Sequence, residues 1–369
     1  MSRWLSISHI SLVFLCIVLI HFKIVHSSNA VPKSFQQRLL ERKNIVGSAT
    51  VLTTGVVGKK IYDGPIFNEN VDLTGKEIVI TGANTGLGKD SAISLASKGA
   101  NIYILCRSET KGLKAVQEIK EKSKNDNVEY LSLDLASLKS IDNCANELKK
   151  KLKKIDVLQL NAGVMAIPDR QTTQDDFEYQ LGVNHLGHFK LTGELLGLLK
   201  KSENGRIISV SSSAHMLGKL NFDDLLLEKD GAYSAWQAYG NSKLANVLFT
   251  RELADRLGKD SSIVAVTLHP GACRTELGRY IVDPDSIPKA LVPILGVAIS
   301  PLLYFTKSSY MGSQTQTFLS ASKTITPANN GLFYDNSVPA DTSKEAKDVE
   351  ARKKLWELSE QLTNVRYDF

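Results

Sequence analysis

From about residue 75 onward the chain alternates short apolar, β-branched runs with longer stretches whose apolar positions recur every three or four residues. The segment GKEIVITGANTGLGKDSAISLASKGANIYILCR, residues 75–107, shows one unit of the pattern. A run EIVIT meets a glycine-rich turn, an amphipathic helix follows, Gly99 supplies its stop, and a second run begins. Strands are expected at 77–81, 101–105, 129–133, 156–160, 206–211, 262–269 and 331–334, with helices between them. That alternation predicts an α/β fold: a single doubly wound parallel sheet of about seven strands flanked by helices. No internal repeat and no Pro/Gly-rich linker interrupts residues 73–369, which are therefore expected to form one domain.

The first turn, TGANTGLGK at 81–89, carries chemistry. Gly82 permits the tight turn, Gly86 lets backbone approach a phosphate, and Gly88 allows the helix to pack on the sheet. The N–H groups that open the helix, with Thr85 and Leu87 in the turn, then face an anion. Such a glycine set is a weak signal alone. At this point of a strand–turn–helix unit it predicts a Rossmann-type dinucleotide site. After the second strand a carboxylate would favour NAD, but the chain reads ILCRS and places Arg107 there. A guanidinium suits a 2′-phosphate, so the expected cofactor is NADP(H); the alternative is an Arg that only forms a surface ion pair.

Charge and cysteine content narrow the rest. The formal charge is +6, yet residues 1–60 hold eight Lys/Arg against one acid, leaving 37 basic and 38 acidic residues in the body. A near-neutral body argues against nucleic acid as a partner. The run KKKLKK at 149–154 falls where a helix should end and suits its dipole. Four cysteines without a CxxC pair exclude a disulfide framework and argue against zinc, so no metal is expected. His185 and His188, three apart, have no acidic or cysteine partner at ligand spacing and read as helix packing.

The front end reads as an address. Arg3, an apolar run from Leu12 to Ile20 and small residues around Ser28 and Ala30 have the layout of a secretory signal or a retained anchor over 1–30. Residues 31–72 read as a basic linker or, over 31–60, a transit-like segment. The expected location is the endoplasmic reticulum or another endomembrane, with a plastid reached through a two-part presequence as the alternative. No Asn-X-Ser/Thr sequon occurs.

In order along the chain stand TGANTGLG, LNAGV (160–164), SVSSSAH (209–215), Tyr239-x-x-x-Lys243 and HPGACRTEL (269–277). With these the chain resembles the short-chain dehydrogenase/reductase family. LDLASLKSI, VNHLGHF, SKLANVLFTRELA and the late KKLWELSEQL resemble the branch that contains retinol dehydrogenases and the WW-domain oxidoreductase, and together they span about residues 73–364. Two positions depart from the family pattern: Leu160 precedes Asn161-Ala162-Gly163 where a second Asn is usual, and Ser209 stands where the branch often has Asn. The resemblance implies that Asp134, Leu135, Asn161, Ala162 and Gly163 lie along the adenosine half of the cofactor, although Asp134 could equally cap a helix. It implies that Pro270, Gly271 and Thr275 lie against nicotinamide. It also implies Asn184 as a catalytic residue that holds a water relay to Lys243.

Tyr239 and Lys243 stand one helical turn apart on one face. Hydride exchange between a nicotinamide and a carbonyl carbon requires a proton at the oxygen, and a phenol of ordinary pKa about 10 is a poor acid–base group near neutrality. The cation of Lys243 is expected to lower it and to hold the nicotinamide ribose. None of the other ten tyrosines has a Lys four residues later, which sets this pair apart from chance. Ser212, after the fifth strand, is expected to hydrogen-bond the substrate oxygen; Ser211 and Ser213 are its rivals by one residue.

The apolar run LVPILGVAISPLLYF, 291–305, is broken by Pro293 and Pro301 and follows the sixth strand. It is expected to wall a lipophilic pocket or rest on a membrane, as the N-terminal segment would; a core or dimer helix is the alternative. The reading is an NADP(H)-dependent oxidoreductase that interconverts a lipophilic aldehyde or ketone and its alcohol, with a homodimer allowed. A light-dependent reductase of a chlorophyll precursor and a non-catalytic nucleotide-sensing scaffold are the alternatives.

Overall fold

The structure is a computed structural model, and it describes residues 59–60, 62–274 and 306–369. The chain divides into two compact units, Met1–Tyr62 and Asp63–Phe369, and the second carries every element named below. The N-terminal apolar stretch, most of the basic segment, Thr275 and the run 291–305 lie outside the described residues.

The sheet contains β1 (Glu77–Thr81), β2 (Asn101–Cys106), β3 (Val128–Ser132), β4 (Val157–Leu160), β5 (Gly205–Val210), β6 (Ile263–His269), β7 (Phe333–Asp335) and β8 (Val338–Pro339). Their order is β3-β2-β1-β4-β5-β6-β7-β8. All the neighbouring pairs from β3 to β7 are parallel, and only β8 runs antiparallel, against β7. The doubly wound parallel sheet is therefore present, with eight strands among the described residues rather than about seven. The extra one is a two-residue, exposed edge strand reached through Asn336 and Ser337, both at positive φ (50° and 64°). Two consecutive left-handed residues make the tight hairpin turn, but Asn-Ser lacks the glycine that advertises it in sequence.

Burial on both faces explains the near-continuous apolar strands. Ile78 and Ile80 of β1 point to one side with Ile102, Ile104, Ile208 and Val266, while Val79 points to the other with Leu105, Leu158 and Ile207. The first face is covered by α1 (Gly86–Ala96), α2 (Glu109–Ser123) and α6 (Gln314–Ala321). The second is covered by α3 (Leu138–Lys151), α4 (Gly187–Leu199), α5 (Ala235–Leu257) and α7 (Val349–Thr363). On that side Trp356 of α7 sits edge-on to Phe189 at 5.0 Å and stacks on Phe249 at 5.9 Å, joining three helices. Capping is local: Ser108, Ser137 and Asp348 accept backbone N–H bonds at the starts of α2, α3 and α7. Lys149, Lys150 and Lys151 occupy the last turn of α3, where Lys149 pairs with Glu194 and Lys151 with Glu129. Gly99 ends the α1 turn at φ 92°, and a side chain there would meet Thr74 Oγ1 at 2.7 Å.

Residues 63–72, read above as the end of the linker, pack on the body instead. Val71 and Leu73 are buried, Phe67 N–H donates to Gln314 Oε1 at 2.9 Å, and the Phe67 ring meets Phe318 edge-on. Each buried aliphatic side chain contributes about 1.5–3 kcal/mol. A chain that starts at Thr74 should therefore be less stable than one that starts at Asp63 by about 3 kcal/mol in urea melts. Coincident melts would show that the segment only lies against the surface.

Candidate active site

The strand order reverses between β1 and β4, which run outward to α-helices on opposite faces, and a crevice opens at their C-terminal ends. The Thr81 hydroxyl holds this point together. It accepts N–H bonds from Asn161 and Ala162, both at 2.9 Å, and lies 2.9 Å from His188 Nε2. His188 Nδ1 is 3.0 Å from the Asn184 carbonyl, which can only accept, so Nδ1 carries the proton and Nε2 accepts from Thr81. Burial drives His188 down to about 4 and keeps it neutral. His188 is thus a tie between β1 and the segment before α4. His185 bonds Ser359 of α7 at 2.9 Å, in the packing role expected of it.

The crevice has a volume of about 440 Å³. Gly82, Thr85, Gly86 and Leu87 form one wall, Arg107 stands at the end of β2, and Asp134, Leu135, Asn161, Ala162 and Gly163 follow from β3 and β4. These ten expected cofactor residues therefore converge on one space. Gly82 is at φ 67° and Gly86 at φ 57°; a side chain on Gly82 would stand 2.8 Å from Ala162 Cα. Gly88 packs α1 onto the end of β4, where a Cβ would meet Asn161 Nδ2 at 2.5 Å. Thr85 makes no side-chain cap on α1, so the helix presents uncapped N–H groups to the crevice. Asn161 donates to Thr81 O at 2.8 Å, while its buried Oδ1 has no partner within the protein. A glycine cradle, an uncapped helix start and an unpartnered buried acceptor fit a dinucleotide.

Asp134 does not cap α3. Ser137 does, and Asp134 Oδ1 instead accepts Ala136 N–H at 3.0 Å while the residue lines the crevice. Arg107 Nη1 donates to the Tyr179 hydroxyl at 3.2 Å across the opening. Sequence reasoning missed Thr81, Asn84, Ser108, Lys111, Tyr179 and Val183, which also line it. Lys111 was the findable one, since it lies one turn beyond Arg107 at the start of α2.

Tyr239 and Lys243 lie on α5 and are 3% exposed each. Lys243 Nζ donates to Val210 O at the end of β5 at 3.0 Å and sits 5.7 Å from the centre of the Tyr239 ring. Ser212 lies close enough to the Tyr239 hydroxyl to oppose the rise of its pKa, and its own hydroxyl accepts Ala214 N–H at 3.1 Å. Its rival Ser211 is buried and donates to the Lys243 carbonyl at 2.7 Å, which turns its hydroxyl to α5 backbone. Asn184 lies in a π-helical turn, Gly182–Leu186, ahead of α4. Its Oδ1 accepts Val164 N–H at 2.8 Å and its Nδ2 donates to Val164 O and Ser242 Oγ, both at 2.9 Å. That side chain clamps β4's exit to α5. Gly163 sits between: a Cβ there would be 3.2 Å from Asn184 Oδ1 and 3.5 Å from Lys243 Nζ.

The expected lowering of the Tyr239 pKa is not observed. Burial pushes the phenol up to about 12, with nearby Ser212 opposing and Cys273 adding to the rise. Burial likewise drives Lys243 down to about 8. Enclosure penalises both charged forms, and an ammonium engaged with Val210 O and facing the ring does not offset the cost for the hydroxyl. After β6, Gly271 adopts φ 86° with its N–H on His269 Nδ1 at 3.2 Å, and the Cys273 thiol donates to Pro270 O at 3.3 Å. Among the described residues no group of three His, Cys, Asp or Glu could hold a metal ion.

Residues 76–224 match the family model of short chain dehydrogenases. Human retinol dehydrogenase 12 is 41% identical over 310 residues, covering 84% of this chain and 93% of that one. Human retinol dehydrogenase 13 is 39% identical over 318 residues, covering 86% and 93%. Among solved structures, an uncharacterised protein from Mycobacterium paratuberculosis superposes with a TM-score of 0.66 at 32% identity, covering 83% of this chain and all of that one. With the glycine-lined crevice and the Tyr239–Lys243 pair on α5, these similarities establish that the chain belongs to the short-chain dehydrogenase/reductase family, in its retinol dehydrogenase branch.

Proposed function

We propose that the protein reduces a lipophilic aldehyde or ketone to its alcohol with NADPH, retinal-like compounds being the substrate class suggested by the relatives it is similar to. The observation that carries this reading is the placement of buried Tyr239, with Ser212 beside it, one helical turn from Lys243, whose Nζ stands 3.5 Å from where a side chain on crevice-lining Gly163 would begin. A nicotinamide bound there would supply the hydride to the carbonyl carbon. Tyr239 supplies the proton to the oxygen. A phenol held near 12 is fully protonated at neutral pH, and an alkoxide is a stronger base than a phenolate, so the transfer runs downhill in the reductive direction. Ser212 donates to the same oxygen and stabilises its developing charge. Lys243, mostly charged at pH 7 with a pKa near 8, stabilises the phenolate left behind. Asn184 keeps Lys243 in reach by clamping Val164 to Ser242.

Arg107 and Lys111 support NADPH over NADH, since two cations at the end of β2 and the start of α2 match a 2′-phosphate. Half-buried Trp236, edge-on to Tyr239 at 6.3 Å, offers an aromatic surface to an apolar substrate. An endomembrane location through the N-terminal apolar segment belongs to the same reading. Among the described residues no helix is long and apolar enough to cross a membrane.

Tyr239→Phe should lower kcat by about 10²–10⁴-fold for retinal and decanal while the NADPH dissociation constant stays put; full turnover by that variant sinks the assignment. Arg107→Ala should raise the KM for NADPH by about 10–100-fold, the worth of about 1.5–3 kcal/mol in charged hydrogen bonds, and leave NADH kinetics nearly unchanged. Equal effects on both cofactors would remove the phosphate contact. Lys243 also gives a pH signature. Its folded pKa of about 8 lies below the usual 10.5, so the unfolded chain binds the extra proton between those values. Relative to Lys243→Met, the native protein should gain roughly 3 kcal/mol of stability as pH rises from about 8 to about 10.5. Urea melts of both proteins across that window check it, and a constant gap contradicts a buried ammonium.

A further inference from the structure

His215 lies in the 3₁₀ turn Ser213–Leu217 that Ser212 caps, and it is fully enclosed. Its Nδ1 is 2.7 Å from the Ser212 carbonyl, which also accepts the His215 backbone N–H at 3.0 Å. A carbonyl only accepts, so Nδ1 carries the proton and Nε2 is left as an acceptor. The Ser343 N–H points at that nitrogen from 3.3 Å, and the ring packs against Phe333 of β7 at 5.0 Å. Burial and the charge of Arg251 hold the ring neutral. Ser212 adopts φ −158° and ψ 158°, and the peptide plane that follows it cannot swing about ψ without breaking both bonds to its carbonyl. The backbone bonds fix the turn that holds Ala214, and the Ala214 N–H, 3.1 Å from Oγ, then sets the direction of the hydroxyl.

The other end of the ring is anchored where α5 is anchored. Arg251 of α5 donates to Thr342 Oγ1 at 3.0 Å and to the Ala346 carbonyl. The segment 342–346 is therefore gripped by Arg251 from the helix that carries Tyr239 and by His215 from the turn that carries Ser212. We propose that His215 is a positioning residue, which through its Nδ1–H holds the Ser212 hydroxyl in register with the Tyr239 hydroxyl. The inference rests on the role given to Ser212 above.

Side-chain geometry separates the two ring contacts. His215→Asn keeps an amide at the Nδ1 position and can still donate to the Ser212 carbonyl. His215→Gln carries its amide out to the Nε2 position, keeps Ser343 in reach and loses that carbonyl. His215→Phe loses both. With decanal and NADPH as probes and the full chain as enzyme, Asn should keep kcat within about threefold of wild type. Gln and Phe should lose at least about tenfold in kcat, with the NADPH dissociation constant changed by less than about twofold. Equal kcat values for Asn and Gln, or wild-type turnover by Gln, overturn the proposal, and this pair decides it even if the Phe variant does not fold. In wild-type protein the ring nitrogen NMR spectrum should show the proton on Nδ1; a proton on Nε2 overturns it as well. Ser212→Ala distinguishes the two levels. An inactive Ser212→Ala beside fully active Gln and Phe variants removes only the role of His215, whereas a fully active Ser212→Ala removes the role of Ser212 and this inference together.

Discussion

The whole site depends on one hydroxyl, that of Thr81, at the place where the sheet changes direction. β1 and β4 lie side by side, and the chain leaves them toward opposite faces, so their ends must diverge to leave a crevice and yet stay joined at its floor. A Thr at the last position of β1 meets both demands. Its oxygen takes the N–H groups of Asn161 and Ala162, which have no strand partner beyond β4, and its proton goes to His188. Gly82 can then turn away within 2.8–3.0 Å of where Ala162 would meet a side chain. The glycine-rich turn, the exit of β4 and the π-helical turn bearing Asn184 are all indexed to this atom. A Val in its place would have the same shape and leave two N–H groups and the Nε2 of a buried imidazole without partners.

From that floor the enclosure of the proposed proton donor follows, and so does its chemistry. A buried phenol and a buried ammonium each resist their charged form, which gives a neutral acid near 12 and a lysine near 8 in adjoining positions. These two groups are coupled through need: protonating an alkoxide creates the phenolate, the very anion whose formation a nearby lysine charge offsets. The reverse reaction would begin from the phenolate and bear the burial penalty at its outset. On the proposed reading, a protonated phenol beside a lysine suits the proton-donating role.

Much of this was legible in the sequence because it depends on local pattern. Seven strands came from β-branched runs, the cofactor turn from glycine spacing, and the Tyr239–Lys243 pair from a fixed interval on one helix face. What escaped depends on contacts between distant segments. β8 is two residues long and its turn lacks glycine. The body begins at Asp63 because Phe67 and Val71 find partners such as Phe318 across the fold, and no periodicity announces that in ten residues. The sign of the Tyr239 shift was misread for a related reason: spacing shows that a cation is near, but the burial that outweighs it is a property of the assembled packing. The family motif favoured Ser212 over Ser211, but that Ser211 donates its hydroxyl to the Lys243 carbonyl is seen only in the packing.

The same dependence on distant contacts governs how the C-terminal third is tied to the cofactor turn. Between α1 and α6 runs a buried polar seam that a packed α/β interface would ordinarily fill with aliphatics. Gln159 of β4 donates to Ser91 at 3.0 Å and Ser320 at 2.6 Å, and Gln316 donates to Gln159 Oε1 at 3.2 Å and to the Leu87 carbonyl at 3.3 Å. Apolar residues of equal volume could seal this layer at similar stability, but they would let α6 slide along α1. Directional bonds do not permit sliding, because a shift of one residue strands several buried donors at once. Leu87, whose side chain faces Gly312 and whose carbonyl faces Gln316, is thereby held between the glycine turn and the segment that carries α6. Register between those two parts is fixed in this fold by polar burial.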